Sequence, residues 1–256
     1  MKKIFSFALR FIPRPVLQRF VHIVTKILIP FYKGNKVQCS VCGIKLKKFL
    51  PYGRLNPREN ALCPKCLSLE RHRLINLFLK EKTDFYSKEH KMLHVAPEIC
   101  FMKRFEKVHG DNYITADLES PWAKVKMDVH DIPFENNHFD IIFCNHVLEH
   151  VKDDIKVLKE FYRVLKPGGW AILQSPIDYS YKTTYEDDSI TTARERELAF
   201  GQDDHLRMFG LDYGERLKLG GFEVTEHLMT DSDEEAFKYG LDKREILYLC
   251  SKPKGG

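Results

Sequence analysis

The sequence predicts a doubly wound α/β domain on a mostly parallel sheet, preceded by a small four-cysteine metal module. Residues 90 to 178 alternate short apolar strands with amphipathic helices, the βαβ pattern of a parallel sheet covered on both faces. The run Lys166-Pro167-Gly168-Gly169 falls where a long helix must stop, because proline ends helices and glycine accepts the left-handed turn. Ahead of this region stand two Cys-x-x-Cys pairs separated by twenty residues.

Length and charge set the frame. A chain of 256 residues with 43% apolar content holds one domain of ordinary size and a small appendage. Its net charge of +5 conceals a division: residues 1 to 58 carry 13 Lys and Arg and no Asp or Glu, so the other 198 carry −8. A front end so basic expects an anionic partner, either a nucleic acid or the anionic surface of a membrane. Seven cysteines, an odd number with two close pairs, make a poor disulfide framework and a good metal pattern, which places the chain in the reducing cytoplasm.

Residues 1–34 read as a basic N-terminal segment. Ile4 to Ile12 follows Lys2 and Lys3 like a signal peptide, but Arg10 interrupts it and no small-residue cleavage site follows. Arg10, Arg14, Arg19 and Lys26 also leave no window near the ~20 apolar residues that span a bilayer. Residues 16 to 28 form an amphipathic helix bounded by Pro15 and Pro30. Its stripe of Val16, Leu17, Phe20, Val21, Val24, Ile27 and Leu28 enters a membrane interface or packs on the protein's own core.

Residues 35–85 are the metal module. Cys39 and Cys42, then Cys63 and Cys66, present four thiolates from two tight turns and suit tetrahedral Zn2+; iron takes the same ligand set. Metal binding supplies much of the folding free energy of so small a module. Leu67 to Lys80 follows as a helix, and His72 stays outside the ligand set because a fourth thiolate is present.

Residues 86–256 are the main domain. Strands are expected at 92–96, 113–116, 125–129, 139–144 and 170–174, with helices at 101–108 and 147–165. A mostly irregular polar stretch from 179 to 204 is long enough for a substrate loop. A helix at 211–219 and strands at 222–228 and 246–249 complete the chain.

The stretch Met127-Asp-Val-His-Asp-Ile-Pro-Phe through Phe139-Asp and Asn145-His-Val-Leu-Glu-His-Val151, running on to Leu165-Lys-Pro-Gly-Gly169, resembles class I S-adenosylmethionine-dependent methyltransferases of the type called methyltransferase 11. The resemblance covers roughly residues 90 to 250. It implies a Rossmann-like sheet of seven strands, the last antiparallel, with the cofactor over the carboxyl ends of the first strands.

Carried over by position, the resemblance assigns Asp117 to the ribose hydroxyls with Leu118 beside it. Asp128 takes the adenine amino group with Val129 alongside, and Asn145 and His146 stand where cofactor and acceptor meet. The first loop departs from the pattern. It reads His94-Val95-Ala96-Pro97-Glu98 with no glycine, so Ala96 must give the cofactor room otherwise, Glu98 replaces the acid that pairs with its ammonium group, and His94 stands where an acid commonly does. The same departure admits a non-catalytic binding scaffold.

Methyl transfer to a hydroxyl needs alignment and a base, and histidine titrates near working pH. On a helix His146 and His150, four apart, share a face. Phe200-Gly-Gln-Asp-Asp-His-Leu-Arg207 adds His205 as base or acceptor ligand and Arg207 as an orienting cation. The expected activity is O-methylation of a glycan, lipid-linked or small-molecule acceptor at the inner membrane face, with residues 1–30 on the membrane. RNA, and ribosomal RNA in particular, is the alternative acceptor.

Overall fold

The computed structural model describes residues 25–53 and 57–255, and the chain divides into two compact units. One runs to Thr83 and takes in Met229–Glu245; the other is Asp84–Leu228 with Ile246–Gly256. The segment 229–245, inside the expected span of the main domain, thus belongs with the first unit.

In the first unit residues 25–32 are helical, so Pro30 does not end that helix, and the earlier part of the expected amphipathic helix lies outside the described residues. Within the described part Thr25 is buried while Ile27 and Phe31 are 64% and 73% exposed. Strand β1 (Lys33–Gln38) pairs antiparallel with β2 (Lys45–Leu46), and β3 (Leu50–Tyr52) with β4 (Arg58–Leu62).

Each hairpin carries one cysteine turn of the same construction. Cys39 N donates to Ile44 O at 3.0 Å and Cys63 N to Ser68 O at 2.9 Å; the residue four after each first cysteine, Gly43 and Leu67, bonds back to that cysteine's carbonyl at 2.9 Å in a left-handed conformation. Because residues 67–69 are spent on this turn, helix α1 spans Glu70–Glu81 rather than starting at Leu67.

Arg73 of α1 is fully buried. It donates to the carbonyls of Ala61, Ser68, Tyr239 and Gly240 and lies 4.0 Å above the Phe49 ring. Four carbonyl partners satisfy a guanidinium that burial would otherwise destabilise, and they fix the short helix Asp233–Tyr239 within this unit. Gly240 has φ +59°, and a Cβ there would come within 2.8 Å of Phe49.

The second unit is the predicted doubly wound sheet. It is built from β5 (Met92–Val95), β6 (Tyr113–Asp117), β7 (Val125–Lys126), β8 (Phe139–Asn145) and β9 (Leu165–Gln174). A small hairpin of β10 (Tyr185–Glu186) and β11 (Arg207–Met208) stands apart, and β12 (Glu223–Leu228) and β13 (Ile246–Ser251) close the sheet. The spatial order is β12-β13-β9-β8-β5-β6-β7, with β13 antiparallel to both neighbours and the strands from β9 to β7 parallel. Strands β5 and β8 are buried along almost their whole length, as a sheet covered on both faces requires.

Helix α2 (Ile99–His109) follows β5 and α3 (Asp154–Val164) follows β8, the latter capped by Asp153, which accepts from Lys156 N at 2.8 Å. The register between β8 and β9 jumps from Phe139↔Leu165 to Ile141↔Trp170, so the Lys-Pro-Gly-Gly run forms a bulge inside one long strand instead of a turn before a short one. Gly168 has φ +78°, and a Cβ on Gly169 would approach Asp140 O to 2.8 Å.

Two further differences matter for the site. The polar stretch 179–204 contains α4 (Ala193–Phe200), opened by a capping box of Thr192 and Glu195. Residues 146–153 form turns rather than the start of a helix, because His146 has φ +56° and turns the chain aside. The expected helix from Val147 is shortened to α3, and the shared helical face of His146 and His150 does not exist. Helix α5 (Tyr213–Lys218) supplies the last cover before β12.

Candidate active site and four-cysteine cluster

The parallel register carries Val95, Asp117 and Asn145 to the same end of the sheet, where open α/β sheets take their ligands. After β5 the glycine-free loop turns on Ala96 itself, which holds φ +48° and donates its N–H to Ala116 O at 2.9 Å. A left-handed alanine costs roughly 1 kcal/mol relative to glycine, so the loop accepts strain to make the turn that glycine usually makes.

His94 is fully buried beneath this loop. Its Nδ1 lies 2.7 Å from the Tyr113 hydroxyl and its Nε2 against Glu98 Oε2. A carboxylate only accepts, so Nε2 carries the proton and Tyr113, kept a phenol by burial, donates to Nδ1. The other Glu98 oxygen accepts from Asn145 Nδ2 at 2.8 Å. Asn145 is buried, and its Oδ1 has no hydrogen-bond partner.

Asp117 Oδ1 accepts from the N–H groups of Glu119 at 2.8 Å and Ser120 at 2.7 Å, which leaves Oδ2 to a ligand. Leu118 at the tip of that turn is 64% exposed. Asp128 lies beyond the short β7, where the N–H and then the ring of His130 hold its Oδ1 at 2.9 and 2.7 Å and lower its pKa below the usual carboxylate range. Val129 beside it is buried.

Beyond β8 the structure gathers His146, His150 and His205 around Glu149, a residue to which the sequence assigned no role in the site. Glu149 is buried; its Oε1 lies 3.3 Å from His146 Nδ1 and its Oε2 accepts from the Ser175 hydroxyl at 3.1 Å. Burial works to raise its pKa, but His146 and neighbouring groups bring it below the ordinary value. The His150 and His205 rings meet edge to face at 4.7 Å. Burial lowers the pKa of His205 below the ordinary imidazole value.

Arg207 is buried and fully committed. It donates to the carbonyls of Leu148 and Val151 at 2.6 Å and Lys152 at 3.0 Å and pairs with Glu186 at 2.9 Å. It therefore holds the 148–152 turn, and the expectation of an acceptor-facing cation is replaced by this positioning role.

In the first unit the four cysteine sulfurs converge. Cys39 and Cys66 Sγ are 3.6 Å apart, Cys42 and Cys63 Sγ are 3.7 Å apart, and all seven cysteines of the chain are free. A tetrahedral ion with ~2.3 Å metal–sulfur bonds needs sulfur separations of about 3.8 Å, so this thiolate set fits such an ion. The Ser68 hydroxyl sits 3.2 Å from both Cys39 and Cys66.

Known proteins resemble parts of this chain. Residues 102–173 match the methyltransferase domain model. The tRNA U34 carboxymethyltransferase of Nautilia profundicola is 40% identical over 161 residues, covering 60% of this chain and 48% of that one. The enzyme of the same name from Campylobacter curvus is 27% identical over 163 residues, covering 60% and 49%. The chain thus spans about half the length of these relatives. Among solved structures, the YcgJ protein of Bacillus subtilis aligns with 72% of this chain and all of its own at a TM-score of 0.47 and 17% identity. No described helix is long and apolar enough to cross a membrane. The unit formed by residues 84–228 and 246–256 has the seven-stranded Rossmann-like sheet of the methyltransferase fold, and the match to the methyltransferase domain model lies within it.

Proposed function

We propose that this chain transfers the methyl group of S-adenosylmethionine to a hydroxyl of an RNA acceptor. The observation that carries the cofactor half is the convergence of Glu98, Asp117 and Asn145 at one end of the sheet, with the buried Asn145 Oδ1 still lacking a donor. An ammonium group satisfies that oxygen and pairs with Glu98, which His94 holds in place. Asp117 Oδ2 takes the ribose hydroxyls, Asp128 the adenine amino group, and Leu118 and Val129 the apolar faces of the base. When bound, the cofactor supplies an electrophilic methyl on a sulfonium. His146, half-buried with Glu149 behind its Nδ1, removes the acceptor's proton. The turn that Arg207 fixes shapes the acceptor side.

The acceptor assignment rests on two supports. Two relatives bear names of tRNA-modifying enzymes, and the first 58 residues carry 13 positive and no negative side chains. The fit of four thiolates to a tetrahedral ion supports Zn2+ at Cys39, Cys42, Cys63 and Cys66 in that same region, although iron accepts the same ligands. Seven free thiols support a cytoplasmic site of action. Nothing in the comparisons supports the glycan acceptor that the sequence suggested. The exposed Ile27 and Phe31 do favour a second reading of the front end, attachment to an anionic membrane surface.

The test is transfer of labelled methyl from S-adenosylmethionine to unmodified tRNA transcripts by the zinc-loaded protein. The reading expects labelled RNA with the parent chain and none with Asp117→Ala. Label that enters a polysaccharide or lipid fraction but never RNA overturns the acceptor, and absence of S-adenosylmethionine binding makes the chain a non-catalytic scaffold.

A further inference from the structure

We propose that Glu149, His150 and His205 form a divalent-cation site, separate from the four-cysteine cluster, on the acceptor side of the methyltransferase domain. One ligand atom from each of the three lies within 4.8 Å of the other two. Glu149 and His150 stand in the turn after β8, and His205 stands after α4, where Leu206 N donates to Glu149 O at 2.8 Å and pins the two segments together. Arg207, with its three carbonyl partners in residues 148–152, fixes the same turn from the other side.

The hydrogen bonds around the trio are those of metal ligands. His205 Nδ1 donates to Phe200 O at 3.2 Å, which puts the bare lone pair on Nε2; that atom is buried and has no hydrogen-bond partner. His150 Nδ1 likewise donates to Asp204 O at 3.2 Å, and its Nε2 lies 4.0 Å from Glu149 Oε1. The second oxygen of Glu149 is held by Ser175, whose hydroxyl also meets Tyr213 at 3.3 Å. Anchoring Nδ1–H on a carbonyl fixes ring orientation and tautomer, as second-layer partners do for histidine ligands. His205 Nε2 is a buried acceptor without a hydrogen-bond partner, a lack ordinarily made good, and Glu149 Oε1, 3.3 Å from His146 Nδ1, keeps a further lone pair for a cation. A cation satisfies both.

Two imidazoles and one carboxylate suit Mn2+, Fe2+, Co2+ or Zn2+, whereas four thiolates suit Zn2+ or iron. Three protein ligands leave open coordination positions. These take oxygen donors: water at rest and, on the methyl-transfer reading, the acceptor's hydroxyl.

The experiment loads the full chain with zinc, then titrates it with Mn2+ while the free-ion paramagnetic resonance signal is followed; Co2+ absorption gives a second readout. The expected result is one Mn2+ per chain beyond the zinc. The Co2+ spectrum should show nitrogen–oxygen coordination without thiolate charge transfer. Affinity should fall at least tenfold in His205→Ala and in Glu149→Gln and stay unchanged in His130→Ala, a ring partnered to Asp128 instead. If those two variants misfold, His150→Gln, at the partly exposed ligand, reports the same loss. Binding of zinc alone, or a second ion indifferent to the substitutions at Glu149, His150 and His205, overturns the site. Tight Mn2+ binding by protein that cannot bind S-adenosylmethionine leaves the cation site standing and overturns only the hydroxyl it would receive.

Discussion

Asn145 Nδ2 donates to Glu98 Oε1 at 2.8 Å, and through this bond the end of β8 holds the carboxylate that follows β5. Two segments 47 residues apart in sequence are thus joined at the end of the sheet where the cofactor is proposed to bind. Replacing Asn145 with Ala leaves that oxygen without its donor, a loss of about 1–3 kcal/mol. Urea denaturation should register it, and calorimetry should show S-adenosylmethionine affinity reduced about tenfold or more, since tenfold is ~1.4 kcal/mol.

Ala96 turns the first loop at φ +48°. Ala96→Gly should therefore be neutral or stabilising by up to about 1 kcal/mol, while Ala96→Val, with a branched side chain in the left-handed region, should destabilise by about 1–2 kcal/mol. Thermal melts of the two variants read the difference directly. A destabilising Ala96→Gly would contradict the strain.

Arg207→Ala removes one cation from three carbonyls, those of Leu148, Val151 and Lys152, and from Glu186. The expected loss is about 3 kcal/mol or more in unfolding free energy, accompanied by weaker Mn2+ binding, with S-adenosylmethionine affinity little changed. Loss of cofactor affinity at intact stability would return Arg207 to a ligand-facing role.

Most of the sheet was legible in the sequence, for a physical reason. Strands such as Met92–Val95 and Phe139–Asn145 are buried on both faces, so they read as short apolar runs whatever surrounds them. The Lys-Pro-Gly-Gly run announced a backbone special, but it could not say that the special is a bulge within β9, because a bulge is defined by the neighbouring strand.

The candidate site was half legible. His205 stood out as a polar residue after a long loop. The role of Glu149 depends on Ser175, 26 residues away, which periodicity does not report. The apolar spacing from Val147 suggested helix, yet His146 in the left-handed region and the Arg207 clamp impose turns until Asp153. Local signals were present for the two helices that went unread: Thr192 with Glu195, and Ser232 with Glu235, are capping pairs inside polar stretches.

Glu245 ties the stability of the first unit to pH. Its burial pushes the carboxyl up to about 7, against the opposing pull of Arg71. A raised acid favours folding below its unfolded pKa, and that contribution is lost as pH rises through the folded value. Unfolding free energy should therefore fall between pH 5 and pH 8. Glu245→Gln should remove that slope and be the more stable protein at pH 8.

Chelation should separate the two units. If an ion occupies the four-cysteine cluster, stripping it with a strong chelator should release one metal per chain and unfold the first unit, because so small a module would draw its folding energy from the ion. Far-ultraviolet circular dichroism before and after zinc is restored checks reversibility. Unchanged spectra after complete metal release would mean that the hairpins and Arg73 hold this unit without it.

The central claim, that the end of the parallel sheet is an S-adenosylmethionine site despite its glycine-free loop, is tested most directly by calorimetric titration of the zinc-loaded protein with S-adenosylmethionine beside Asp117→Ala. Micromolar binding in the parent chain that the substitution abolishes is the predicted result. No heat with the well-folded parent protein, or binding that Asp117→Ala leaves intact, would contradict it.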